Sequence, residues 1–193
     1  MSDDVKIYEL YTESKAADEE SQMHVDSHGT KMWLNQRMRL HRVHGPAIER
    51  VNGDKEWYLN GAWHRENAPA VEHADGYKEW RVHGKRHREG APAIEGVNGD
   101  TEWWLNGKRH REGAPAIEHA NGYKGWWLNG KRHREDGAAI EHANGDKEWW
   151  LNDVQHKNVV AWAQALLKMH NKPHDAEAVQ KFVRAILTKD DLI

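Results

Sequence analysis

The side chains that could do chemistry here recur. His41, His64, His87, His110, His133 and His156 stand at one fixed interval, and His73, His119 and His142 form a partial second set broken by Gly96. Rows of imidazole suggest metal ligation, and rows of carboxylate (Glu49, Glu72, Glu95, Glu118, Glu141) suggest acid–base work. Repetition argues against both. Equivalent residues of successive hairpins lie two strand spacings apart, about 9–10 Å. A shared ion needs its ligand atoms at about 2.0–2.1 Å, so one column cannot form a ladder of shared sites. Catalysis needs one asymmetric constellation with differing pKa values, which a copied residue does not supply. No His-Glu-x-x-His, phosphate loop, nucleophile elbow or dinucleotide turn occurs, and without Cys there is no thiolate ligand or nucleophile. The sequence predicts no enzyme, no cofactor and no metal site.

Two recurrent sets remain as binding chemistry. Lys85-Arg86-His87-Arg88, Lys108-Arg109-His110-Arg111 and Lys131-Arg132-His133-Arg134 would stack as a basic stripe able to track a polyanion, with Trp as stacking platforms. Against that stand Glu89, Glu112 and Glu135, placed to neutralise neighbouring Arg, and a net charge of −3 that drives no global attraction to nucleic acid. The other set is aromatic: the chain has eleven Trp and one Phe, and Tyr58, Arg81, Trp104, Trp127 and Trp150 share a column. Trp and Arg are common interface anchors, so this column is the candidate partner-binding set.

The elements that position these residues are repeats. From Gly45 the chain reads as five blocks of 23 residues, with Pro46, Pro69, Pro92 and Pro115 in register and Ala138 in the fifth place. Residues 27–44 look like a degenerate leading copy. Each block offers two strands, Ala-Ile-Glu and Lys-Glu-Trp-Trp-Leu, around an Asn-Gly or Asp-Gly pair at 52–53, 75–76, 98–99, 121–122 and 144–145. That pair signals a type I′ hairpin. A second Asn-Gly, at 60–61, 106–107 and 129–130, opens a longer link. The expectation is a mainly β fold: an elongated antiparallel meander of stacked hairpins, one per repeat, over residues 27–156.

Alternation then places Trp57/Leu59, Trp80/Val82, Trp103/Leu105, Trp126/Leu128 and Trp149/Leu151 on a packed face with Ile48, Val71, Ile94, Ile117 and Ile140. The Tyr58–Trp150 column falls opposite, beside the Glu49–Glu141 row. Residues 157–193 read as a helical hairpin capping the sheet edge. Val159, Trp162, Leu166 and Met169 carry its first stripe, and Asp175 N-caps a second helix with Val179, Phe182, Val183, Ile186 and Leu187. Residues 1–26 are acidic, with eight Asp and Glu against Lys6 and Lys15. Within the head, 5–11 suit an edge strand or a helix turn, and 12–28 read as a mobile linker.

The stretch NGYKGWWLNGKRHREDGAAIEHANGD (121–146) resembles MORN repeats, with Arg-Glu-[Gly/Asp/Asn] and Pro-Ala replacing the usual His-Gly-x-Gly. The resemblance covers about 27–158 and implies a binding or scaffolding module, some of which associate with lipid. The His-Arg-Glu-x-x-Pro-Ala variety is also similar to proteins of bacteriophages and other large DNA viruses. That likeness implies a phage protein that binds a host or viral protein and modulates it, for instance inhibiting a defence factor. Nucleic acid and a second copy are the other partners weighed. With no apolar run of about 18 residues and no signal-peptide core, the expected place is cytoplasmic, in the host if phage-encoded.

Overall fold

The computed structural model describes residues 21–190, so the readings of 5–11 and 12–20 fall outside it. The chain divides into two compact units between Val97 and Asn98. In the first, antiparallel neighbours run in chain order: Gln22–Val25, Lys31–Leu34, Ile48–Glu49, Lys55–Glu56, Val71–Glu72, Lys78–Glu79 and Ile94–Glu95. In the second they run Thr101–Glu102, Ile117–Glu118, Lys124–Gly125, Ile140–Glu141, Lys147–Leu151 and Val154–His156. This is the mainly β meander expected. It begins earlier than the linker reading allowed, because Gln22–Val25 pairs with Lys31–Leu34.

Each repeat makes two hairpins rather than one. Beyond the meander, Tyr58–Leu59 pairs with Ala62–Trp63, Arg81–Val82 with Lys85–Arg86, Trp104–Leu105 with Lys108–Arg109, and Trp127–Leu128 with Lys131–Arg132. What the sequence offered as a link is therefore a strand. Its turn is the two-residue one: Asn60 and Gly61 both take positive φ (53° and 86°), as do Asn106–Gly107 and Asn129–Gly130, which is type I′ geometry. The meander turn differs. Only Gly53 is left-handed there (φ 96°), its N–H donates to Arg50 O, and Arg50 N–H donates to Asp54 O. That is a three-residue turn ending in a glycine bulge.

The turn type decides the faces. A two-residue turn at Asn52–Gly53 would set Ile48 opposite Trp57. The three-residue turn sets Ile48 opposite Glu56 and Glu49 opposite Lys55. A one-residue slip exchanges the two sides of a strand. The β-branched column therefore packs with the column expected to oppose it: Ala47, Ile48 and Tyr58 cluster together, as do Ala139, Ile140 and Trp150. Trp57 and its equivalents lie on the side of the Glu49–Glu141 row. Beneath the β-branched column runs one more, Ala47, Ala70, Ala93, Ala116 and Ala139, each wholly buried at the Pro-Ala step.

The helices form as expected. α1 spans Val159–Met169 and α2 spans Ala176–Asp190. Asn158 caps α1 by accepting from Ala161 N–H at 3.0 Å, and Asp175 caps α2 by accepting from Ala178 N–H at 2.9 Å. Trp162, Leu166, Val179 and Ile186 are buried against Ala138, Trp149 and Leu151, whereas Met169 and Leu187 are exposed. No helix among the described residues is long and apolar enough to cross a membrane.

Candidate functional site

Three repeated devices consume most of the polar side chains singled out above. The first is an Arg clamp on the Trp57 side. Arg42, Arg65, Arg88, Arg111 and Arg134 lie 3.7–3.9 Å over Trp33, Trp57, Trp80, Trp103 and Trp126. Each also donates to the carbonyl at the Pro position and to a carboxylate seven residues on: Glu49, Glu72, Glu95, Glu118 and Glu141. The ion pairs are 2.6–3.2 Å long. The neutralising carboxylates are thus this row, not Glu89, Glu112 and Glu135, which stand near the imidazoles instead.

The second device is a carboxylate node on the Ile48 side, which the sequence reading missed. Glu56 accepts from Arg50, Tyr58 Oη and Trp63 Nε1. Burial pushes its carboxyl up, but those hydrogen bonds more than undo this and hold it below the usual carboxylate range. Glu79 takes Tyr77, Arg81 and Arg86; Glu102 takes Trp104 Nε1 and Arg109; Glu148 takes Trp150 Nε1 and His142. Burial and Glu79 push the Tyr77 hydroxyl up to about 12. In the fourth repeat Gly125 stands in place of Glu, and the Trp127 ring lies where a side chain there would go, 1.9 Å from an added Cβ.

The third device is a His hook. Nδ1 of His41, His64, His110 and His133 accepts the backbone N–H of residues 60, 83, 129 and 152, each the first residue of the next repeat's type I′ turn. At these four positions the column ties each repeat to the next turn. Among the described residues, no group of three or more His, Asp or Glu is disposed to hold a metal.

The expected partner-binding set is therefore part of the packing. Tyr58 and Trp150 are buried, Arg81, Trp104 and Trp127 half-buried, and Trp104, Trp150 and Arg81 are tied to nodes. Of the basic stripe, Arg88, Arg111 and Arg134 are clamped, and Arg86, Arg109 and Arg132 pair with Glu79, Glu102 and Asp153. Lys85, Lys108 and Lys131 are exposed.

A groove on the Trp57 side is open at two equivalent places. One, of about 440 Å³, is walled by Arg65-Glu66-Asn67 and Arg88-Glu89 over Trp80 and Val82. The other, of about 300 Å³, is walled by Arg111-Glu112-Gly113 and Arg134-Glu135-Asp136 over Trp126 and Leu128. The positions correspond residue for residue at an offset of two repeats. The floor residues belong to the Trp57/Leu59 column, in which Trp57, Trp80, Trp149 and Leu151 are buried as expected while Val82, Trp126 and Leu128 stay partly exposed. Neither a protein-family model nor a curated protein matches the chain.

Proposed function

We propose that this chain is a non-catalytic protein-binding repeat module whose partner docks in the grooves between neighbouring repeats. The observation that carries this reading is the recurrence of one Trp-floored groove, over Trp80/Val82 and again over Trp126/Leu128. Aromatic anchors in desolvated pockets dominate protein interfaces. The arginines supply rigid walls, because their charge is already matched within the repeat. The viral likeness of the repeats favours a host or viral protein as partner, with a defence factor one such target. A polyanion reading keeps one supporting observation, the exposure of Lys85, Lys108 and Lys131, the same position in three repeats. Three phosphate contacts give a salt slope of only about −2 to −3.

A photoreactive amino acid at Glu112, on the groove rim, tests the reading in the full chain. The expected product is a protein adduct that persists at moderate salt and is lost in a Leu128→Asp chain. Adducts confined to nucleic acid, or unchanged by Leu128→Asp, would overturn the groove as the docking site.

A further inference from the structure

The last repeat shows what the groove accepts. Shift the Trp126/Leu128 groove by one repeat and its walls and floor become Arg134-Glu135-Asp136, Trp149 and Leu151. That place is filled by α1. The Trp162 ring stands 5.0 Å from the Trp149 ring, wholly buried, and its Nε1 donates to Arg134 O at 3.2 Å. Trp149, Leu151, Trp162 and Leu166 form one apolar cluster. At the far end of the helix, His170 Nε2 lies 3.0 Å from Glu135 Oε2. An indole, an aliphatic residue one turn on and a basic residue two turns on thus meet the floor, the wall carbonyl and the rim carboxylate.

One repeat upstream the floor, wall carbonyl and rim carboxylate recur without a helix, and Arg134 lies over the floor tryptophan. Trp126 and Leu128 are partly exposed, Arg111 carries the corresponding carbonyl, and Glu112 is 85% exposed at the rim, where Glu135 meets His170. Arg134 covers one face of Trp126, yet about 300 Å³ stays open between the walls. The open groove adjoins the filled one, since Arg134, Glu135 and Asp136 belong to both. Spacing permits side-by-side occupancy. Repeats two strands apart advance about 9–10 Å, and packed helices stand 8–10 Å apart.

We infer that the groove over Trp126 and Leu128 binds an amphipathic helix of a partner protein. That helix carries an aromatic anchor, an aliphatic residue four positions later and a basic residue about eight positions later. The inference rests on the protein-binding reading above and names the shape of the partner. Helix-in-groove recognition reads anchors at i, i+3, i+4 and i+7, and position i+8 lies on the same helix face. The partner segment need not be helical when free, because a short helix is marginal in water and gains its stability on docking.

The probe is a fluorescein-labelled peptide of residues 158–171, NVVAWAQALLKMHN, titrated onto the full chain by anisotropy. The account expects saturable binding, weakened about tenfold, or 1.4 kcal/mol, by Trp162→Ala in the peptide and by Leu128→Asp in the chain. Glu112→Lys, which replaces an exposed side chain, should weaken it severalfold by removing the rim carboxylate that corresponds to the Glu135 partner of His170. It decides the matter if Leu128→Asp does not fold. No saturable binding overturns the inference, as does binding indifferent to both chain variants, which would mean the peptide merely displaces the chain's own α1. A groove-dependent protein adduct at Glu112, with no peptide binding, would discard the helix and leave the protein-binding reading standing.

Discussion

The fourth and fifth repeats share a template and end differently. In the fourth, Arg134 lies over Trp126 and ties the loop to Ala138 O and Glu141. In the fifth, Lys157 stands where that arginine would be, and Trp162 of α1 takes the ring face of Trp149 instead. That position sets what covers one face of the tryptophan: the repeat's own guanidinium over Trp126, an indole of α1 against Trp149. The fifth repeat also replaces the turn glycine, so that Asn152 and Asp153 both hold positive φ, and Asp153 pays its strain back by accepting from Arg132. A repeat array needs such an ending, because an open strand edge and apolar floor invite association.

Removing the ending should produce the largest effect. Truncation after Gln155 bares Trp149 and Leu151, and the expected outcome is loss of solubility or association on size exclusion. Within the full chain, Trp162→Ala should cost about 3–5 kcal/mol, read as a drop in denaturant midpoint. A soluble, monomeric truncation with unchanged melting would make the helices an appendage.

Next in size is the Trp104→Ala, Trp127→Ala pair. The sequence alone placed these residues opposite the packed side, free to be removed without harm to the fold. The structure ties Trp104 to Glu102 and lays Trp127 over Gly125, so each change should cost about 2 kcal/mol. Unchanged stability of the double variant would mean that Trp104 and Trp127 lie outside the packing.

That difference shows how far the sequence could be read. The period, the strand pairs, the Asn158 and Asp175 caps and the apolar stripe of α2 follow from residue types at fixed offsets. The two Asn-Gly pairs do not announce their turn types. Asn-Gly fits the centre of a type I′ turn and equally the last two places of a three-residue loop ending in a left-handed glycine. Choosing the first for Asn52–Gly53 slipped the register by one and exchanged the faces. With them went the Glu56–Glu148 nodes and the groove floor. The buried alanines were legible as a column, but Ala carries no polarity signal that assigns a side.

A smaller effect separates the two kinds of closure. Arg134→Ala removes a clamp from the fourth repeat and should cost about 1–2 kcal/mol. It should spare the fifth, where the Arg134 carbonyl rather than its side chain meets Trp162. An unchanged NMR resonance of the Trp162 indole N–H at a lowered melting temperature would match; a shifted one would couple the two repeats.

The smallest and broadest effect is acid. The His64 hook needs Nδ1 as acceptor, which protonation removes. At His64, burial and the neighbouring His83 lower the pKa. The folded state therefore disfavours the proton, and this contribution is complete above about pH 6.5 and lost as pH falls. Hydrogen bonds from His142 and Trp150 keep Glu148 low, and those on Glu56 outweigh its burial. Their contribution is present above about pH 4.5 and lost below it. Melting temperature should fall in two stages on acidification. A flat profile from neutral pH to about pH 5 would rule out the His64 contribution.

The central claim is that the groove, not the basic stripe, carries binding. The most direct measurement is the affinity of the crosslinked partner for two full-length variants, at low and at moderate salt. Leu128→Asp should lose binding at least tenfold, about 1.4 kcal/mol, at both salt concentrations. The triple change Lys85→Ala, Lys108→Ala, Lys131→Ala should stay within about twofold of the parent, some 0.4 kcal/mol. If the lysine variant instead loses binding steeply with salt while Leu128→Asp binds fully, the chain reads a polyanion and the groove is only a seam between repeats.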